Sequence, residues 1–341
     1  MNFKREFAEK ESEFRPIEPL DLTRVHSVDD LVRAMAHTAF TGRQLGEAAD
    51  VLEAMAQDKE CFVVMTLAGS MMVARQSLII AELIDRGIVD AIVSNGTLIT
   101  QGLAEVTGRN HYRVHDGSQS EENLDDVREV MAQILARWDA NEVMCSYKLS
   151  HTIGQHLAEH GEGRGILRSA YLKGVPVFVP AFTDSGLGLD VALNNRLRES
   201  TGHHKVRFDP FEDLEHFSAT LLRQERLGIF SIGGGVPSTW AQQFGPFIEL
   251  RHRRMGENVP LKRYHYGLRI CSEREANSWG RFAPTSTSEN GRFGEVFVDA
   301  TVGLPMIVAA VLERLGKGKS HANAKRETVK SAKSNKKTRR G

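Results

Sequence analysis

Two stretches of this chain hold residue types that could do chemistry. The first is Asn277-Ser278-Trp279-Gly280-Arg281-Phe282. Trp279 offers a broad apolar face with one N–H donor, and after Gly280 and Arg281 the polar run Ala283 to Gly291 (APTSTSENG) reads as a loop. The second is Gly294 to Pro305 (GEVFVDATVGLP), a β-branched apolar run ending in Asp299-Ala300-Thr301, after which Gly-Leu-Pro opens a helical pattern. That pattern predicts a buried strand delivering Asp299 to a strand-to-helix turn. Such turns lie at the carboxyl edge of parallel sheets, where ligands bind. On these residues alone, Trp279 also reads as a core tryptophan and Arg281 as a surface charge.

A third feature is Gly233-Gly234-Gly235, ahead of Val236-Pro237 at the start of a helix. Backbone amides in such a turn, at a helix mouth with partial positive charge, could cradle a pyrophosphate. The spacing matches neither GxGxxG nor GxxxxGK[ST], and three glycines at a strand end also serve as a tight packing turn. Metal and acyl-transfer chemistry are poorly supplied. His151 and His156 stand five apart, a poor ligand geometry on a helix; His203-His204 has no partner motif; neither HExxH nor GxSxG occurs. No metal centre is expected.

The elements that must position these residues alternate along the chain. Ser27 precedes a capped helical pattern, and Gly42 to Met55 repeats apolar residues at helical spacing. Cys61 to Leu67 reads as a buried strand closed by Ala68-Gly69-Ser70, and Met72 to Asp85 as a helix. Ile88 to Val93 is a second strand, closed by Ser94-Asn95-Gly96-Thr97. Asn123 to Trp138, Ser150 to His160 and Gly165 to Lys173 read as helices, followed by the strand Val175 to Val179 and a turn from Pro180 to Gly186. Phe211 to Gln224 is amphipathic, and the strand Leu227 to Ile232 empties into the three glycines. Continuous apolar strands separated by helices predict a doubly wound, mainly parallel α/β sheet with helices on both faces, Rossmann-like in plan.

Composition bounds the rest. With 341 residues and 41% hydrophobic content the chain can bury a large core, here read as one domain over 16–316 between a charged segment 1–15 and a tail 317–341. Cys61, Cys145 and Cys271 form no CxxC pair, which suits a reducing cytoplasm, and no apolar run reaches the ~18 residues of a membrane span. The first fifteen residues are too charged for a signal peptide. Zero net charge hides a division: residues 317–341 hold ten Lys or Arg against Glu327, leaving −9 on the body. The tail reads as a solvated appendage or as an electrostatic contact for nucleic acid.

The strand ends, taken together, resemble the deoxyhypusine synthases and the related homospermidine synthases, from about Phe14 to Leu315. The resemblance rests on Leu67 to Met72 (LAGSMM), Val89 to Val93 (VDAIV), Pro176 to Asp184 (PVFVPAFTD), Gly233 to Pro237 (GGGVP), Asn277 to Gly280 (NSWG) and Val298 to Thr301 (VDAT), in the family's order. It implies an NAD-binding domain in a homotetramer with active sites between subunits, where an N-terminal segment such as Met1 to Arg15 reaches over a neighbour's site. The reaction implied is removal of a hydride by NAD from a carbon beside the secondary amine of spermidine, then passage of the aminobutyl group to an acceptor amine by transimination. Asp184 and Asp190 would hold cationic amines, and Trp279 would wall the methylene chain and face the ammonium. NAD would lie among Ser94, Asn95, Gly96, Thr183, Asp184, Gly233, Gly234, Gly235, Asp299 and Ala300.

The departures are as informative. Family members that modify protein lysine carry a Lys directly after Trp-Gly, and that Lys holds the aminobutyl group covalently; here the position is Arg281. An arginine, with a pKa above ~12, forms no Schiff base. Thr239 replaces a catalytic His, Thr100-Gln101 replaces a Glu pair, and His265 to Arg269 replaces an acidic Gly/Ser loop. Two readings follow. One is an NAD-dependent aminobutyl or alkylamine transferase acting on a small amine, with Asp184, Trp279 and Arg281 at the reacting centre. The other is an inactive relative that binds NAD or polyamine.

Overall fold

The computed structural model describes residues 16–68, 70–106, 121–139, 141–161, 163–272 and 286–317. In chain order these form α1 (Val28–Ala36), α2 (Phe40–Gln57), β1 (Cys61–Leu67), α3 (Ser70–Val73), α4 (Ser77–Asp85), β2 (Ala91–Ser94), α5 (Thr97–Val106), α6 (Glu121–Ala136), α7 (Ser146–His160) and α8 (Ile166–Lys173). Then follow β3 (Val177–Phe178), α9 (Gly186–Ser200), α10 (Phe211–Leu222), β4 (Arg226–Ile232), α11 (Val236–Gln242), α12 (Phe244–Met255), β5 (Tyr264–Cys271), β6 (Thr287–Phe297) and a last helix, α13, over 300–317.

All six strands run parallel in the order β3-β2-β1-β4-β5-β6. Parallel neighbours need crossovers, and the helices supply them on both faces. The alternation of each strand shows it: Val63, Met65, Leu67, Ile92, Phe230, Ile232, Leu268 and Ile270 enter one core with α2, α5, α7, α8 and α13. Val64, Ala91, Val93, Leu227 and Ile229 enter a smaller one with Phe217 of α10 and Phe244 and Ile248 of α12. The doubly wound α/β arrangement is therefore the one that the apolar runs dictate.

Several local expectations change. Met72 to Asp85 is not one helix; it breaks between α3 and α4, where Arg75 takes φ 58° and the Gln76 N–H turns back to the Met71 carbonyl at 3.1 Å. The apolar spacing runs through the break because Met72, Ile80, Leu83 and Ile84 are all buried. The polar run expected as a loop over 283–291 contributes β6 from Thr287 on, and an edge strand exposed on one flank tolerates Ser288, Glu289 and Asn290. His265 to Arg269, expected to stand in for a loop, is the middle of β5, between β4 and β6. The helix expected from Ser150 starts at Ser146, capped from another element: the Asp213 carboxylate accepts from Ser146 N–H at 3.0 Å and Tyr147 N–H at 2.9 Å. Lys317 belongs to α13, not to the tail.

Candidate functional site

Because the strands are parallel, their carboxyl ends share one edge. Register aligns it: Leu67 stands opposite both Ser94 and Ile232, Ile232 opposite Ile270, and Cys271 opposite Phe297. Strand order reverses between β1 and β4, so the crevice of an open α/β sheet opens where Ala68 meets Gly233. Gly233 sits at φ 79° with its N–H on the Ile270 carbonyl at 2.7 Å; a Cβ there would meet Ala68 Cβ at an ordinary 3.7 Å. Backbone conformation, not space, therefore requires glycine at 233. Gly235, at φ 74° and ψ −155°, occupies a region that is essentially glycine's alone.

The turn leaves donors open. Among the described residues no acceptor takes the N–H groups of Gly234, Gly235 or Val236, which precede the first intrahelical bond, Thr239 N–H to the Gly235 carbonyl at 3.0 Å. Pro237 adds no N–H. The Thr239 hydroxyl is turned onto the backbone, donating to the Gly235 and Val236 carbonyls at 3.1 and 3.2 Å. Beneath the turn, a buried chain of polar side chains ties α11 to the sheet: the Thr66 hydroxyl donates to Ser231 at 2.9 Å, Ser231 lies 3.4 Å from Ser238, and Gln242 donates to Ser238 at 3.3 Å.

On the other side of the crevice, two loops interlock. Ser94 is buried, its hydroxyl donating to the Leu67 carbonyl at 2.9 Å, so this side chain fastens β2 to β1. The side-chain oxygen of Asn95 is buried and has no partner among the described residues. A buried acceptor without a donor is costly, and here it lies at a ligand-binding edge. A Cβ on Gly96 would fall 2.1 Å from Ser185 Cβ and 2.3 Å from its Oγ, so glycine lets the loop after β2 press against the loop after β3. Ser185 in turn caps α9, accepting from Gly188 N–H at 3.2 Å and donating to the Phe182 carbonyl at 2.7 Å.

The expected carboxylates divide. Thr183 and Asp184 lie exposed in the loop held by Ser185, and the Asp184 carboxylate has no ion-pair partner among the described residues. Asp190 is half-buried in α9; burial raises its pKa, which Arg128 on α6 opposes, and no contact joins it to Asp184. Asp299 is already engaged: one oxygen accepts from Thr301 N–H at 2.8 Å and Thr301 Oγ1 at 2.6 Å, and these bonds hold its pKa below the ordinary carboxylate value. It caps α13, whose first residue is Ala300. The structure thus brings Gly96 against the loop of Thr183 to Ser185, and Gly233 against Ala68, while Asp190 and Asp299 face partners of their own. Trp279 and Arg281 lie outside the described residues. Their stretch departs from Ser272, past the carboxyl end of β5, and rejoins at Ser286, which donates to the Gln242 carbonyl at 2.7 Å.

Sequence reasoning missed Ser185 and Arg269. Ser185 carried a signal, a cap-forming residue ahead of a helix, obscured by Gly186 and Gly188. Arg269 is buried within β5, its guanidinium 3.6 Å from Glu295 on β6; nothing in a single strand's pattern announces such a partner. No group of three His, Cys, Asp or Glu among the described residues is arranged to hold a metal ion, and no described helix is long and apolar enough to cross a membrane. The open amides of the glycine turn and the unpaired Asn95 oxygen fit a ligand with anionic oxygens at one part and N–H or O–H donors at another.

Known proteins resemble this chain in sequence and in fold. The deoxyhypusine synthase family model matches residues 30–311. The chain is 30% identical to the "Probable deoxyhypusine synthase 2" of Methanosarcina acetivorans, covering 88% of this chain and 90% of that one. It is also 30% identical to the "Deoxyhypusine synthase-like protein" of Chlorobaculum parvum, over 86% and 88%. The fold matches a solved Entamoeba histolytica structure assigned to deoxyhypusine synthase, with a TM-score of 0.62, 16% identity and coverage of 86% and 96%. By sequence over most of its length, with a fold to match, this chain belongs to the deoxyhypusine synthase family.

Proposed function

We propose that this protein is an NAD-dependent transferase that moves an aminobutyl group from a polyamine such as spermidine to a small amine. The observation that carries the reading is the unpaired, buried Asn95 oxygen beside the Gly96–Ser185 contact, at the edge where the exposed, unpaired Asp184 stands. Gly233, Gly234 and Gly235 would hold the pyrophosphate of NAD through backbone N–H groups, with Ser94, Asn95, Gly96, Thr183, Asp299 and Ala300 lining the same edge. NAD, when bound, supplies the acceptor for the hydride that leaves the carbon beside the secondary amine. Asp184 binds the terminal ammonium, Trp279 shields the methylene chain, and Arg281 offers no amine for a covalent adduct. The acceptor amine would therefore add directly to the imine carbon, expel the 1,3-diaminopropane part of spermidine, and leave a new imine that takes back the hydride held by the cofactor.

A homotetramer working in the cytoplasm fits this reading. Leu189, Leu193 and Leu197 of α9, one helical turn apart, are 63%, 64% and 63% exposed, on the helix that begins beside Asp184. A second copy covering that stripe would close the open edge. The test is incubation of the purified protein with NAD and a panel of polyamines, with and without putrescine, followed by mass spectrometry. The expected product is a polyamine larger than putrescine, formed with no borohydride-trapped protein adduct. A trapped lysine adduct, or no product despite NAD binding, would overturn direct transfer.

A further inference from the structure

A roomy cavity lies away from the carboxyl edge. About 720 Å3 in volume, it opens beside edge strand β3 and the amino-terminal ends of β1 and β2, where Phe62 and Asp90 meet residues of α7, α8 and α10. Its walls are aromatic. Tyr147 stacks on His216 with ring centroids 4.0 Å apart and planes 16° from parallel, His151 meets Tyr171 edge-on at 4.9 Å, and Trp138 lies in the same lining. Asp213 anchors one wall residue by accepting from Tyr147 N–H at 2.9 Å.

Asp90 is the group that calls for a partner. One oxygen accepts from Val63 N–H at 2.8 Å, and among the described residues the carboxylate has no cation. Burial raises its pKa, and no nearby charge offsets this. Two cations line the cavity, but Lys148 faces Glu212 at 3.8 Å and donates to the Val143 carbonyl at 3.1 Å, while Arg137 makes no ion pair with Asp90. A half-buried carboxylate lacking a cation, set among ring faces in a space of ligand size, is the arrangement that recognises an ammonium on an apolar body. We propose that this cavity binds a small organic ammonium ion, its charge on Asp90 and its apolar part against Tyr147, His216 and Phe62.

The test uses the full chain and three probes of one shape: benzylamine, benzyl alcohol and benzoate, titrated calorimetrically. Benzylamine should bind once per chain and at least about ten-fold more tightly than benzyl alcohol, as expected for a charged over a neutral hydrogen-bonding partner. Asp90→Asn, which keeps an oxygen for Val63, should weaken benzylamine about ten-fold and leave benzyl alcohol unchanged. His216→Ala should weaken both, by removing one face of the stack. Asp184→Ala should change neither, which separates this site from the carboxyl edge, and melting curves report whether each variant is folded. Benzylamine binding lost in Asp184→Ala but kept in Asp90→Asn, equal binding of benzyl alcohol, or tighter binding of benzoate would each overturn the proposal. Should Asp90→Asn not fold, unaltered benzylamine binding by folded His216→Ala would do so.

Discussion

Two clusters of charge in this protein are built on opposite terms. Around α13, Arg314 is 5% exposed and donates to Asp29 at 2.6 Å, Asp50 at 2.8 Å and Glu53 at 3.0 Å, while Arg33 and Lys317 approach Asp29 at 2.9 and 3.4 Å. Every carboxylate there has a cation, and the set binds the last helix to α1 and α2. At the carboxyl edge, Asp184 stands unpaired and Asn95 holds an unsatisfied oxygen. Charge that holds the fold is matched within the chain; polarity left unmatched at a crevice is available to a ligand.

The comparison is broken most directly at its structural pole. Arg314→Leu should destabilise the protein by about 4 kcal/mol, because it strips the main partner from buried Asp29, and the loss is read as a lower midpoint in urea. Burial pushes the Asp29 pKa up, but the bonds from Arg314 and Arg33 outweigh it and hold the value below the ordinary one. Its contribution is therefore present above the unfolded carboxylate pKa and disappears as pH falls through the folded value. Arg314→Leu should accordingly flatten the acid limb of the stability curve.

Asp184→Ala is the matching change at the other pole. It should lower turnover with polyamine about 100-fold, the scale of a lost hydrogen bond to a charged group, and leave the melting temperature within a degree or so. A drop in stability without a drop in turnover would place Asp184 with Asp29 as a structural charge. Gly96→Ala should cost about 2 kcal/mol, since its new Cβ would overlap Ser185. Adding Ser185→Gly removes the obstructing atoms and should restore part of the stability, a coupling that two independent sites would not show.

How much of this was legible in the sequence follows from where each signal resides. β1, β2 and β4 are short runs of apolar residues closed by Gly, Ser or Asn, and both their existence and the sheet they form could be read locally. β5 and the first half of β6 could not, because His265, Arg269, Glu289 and Asn290 look like loop residues until Glu295 and an edge position account for them, whereas the run from Gly294 on already read as a strand. The start of α7 depends on Asp213, which is 67 residues away from Ser146. At the candidate site, glycine identity could be read but its cause could not: Gly233 needs a positive φ, while Gly96 needs room for Ser185. Asp299 carries a feature that its strand-end position did not announce: its carboxylate accepts from Thr301 and caps the helix that follows.

Asp190 sits between the two poles, and its titration tells which it joins. Burial raises its pKa in the folded state, so ionised Asp190 destabilises the protein; that penalty is complete above the raised value and absent below the unfolded carboxylate pKa. Asp190→Asn should therefore stabilise the free protein slightly at neutral pH, and the gain should vanish as the solution is acidified. Saturating spermidine supplies a second cation beside Arg128 if Asp190 faces the substrate, and the wild type should then regain the advantage, melting higher than Asp190→Asn at pH 7. A gain for Asp190→Asn that is the same with and without spermidine would assign Asp190 to the α6–α9 contact alone, and would leave Asp184 as the carboxylate that meets the amine.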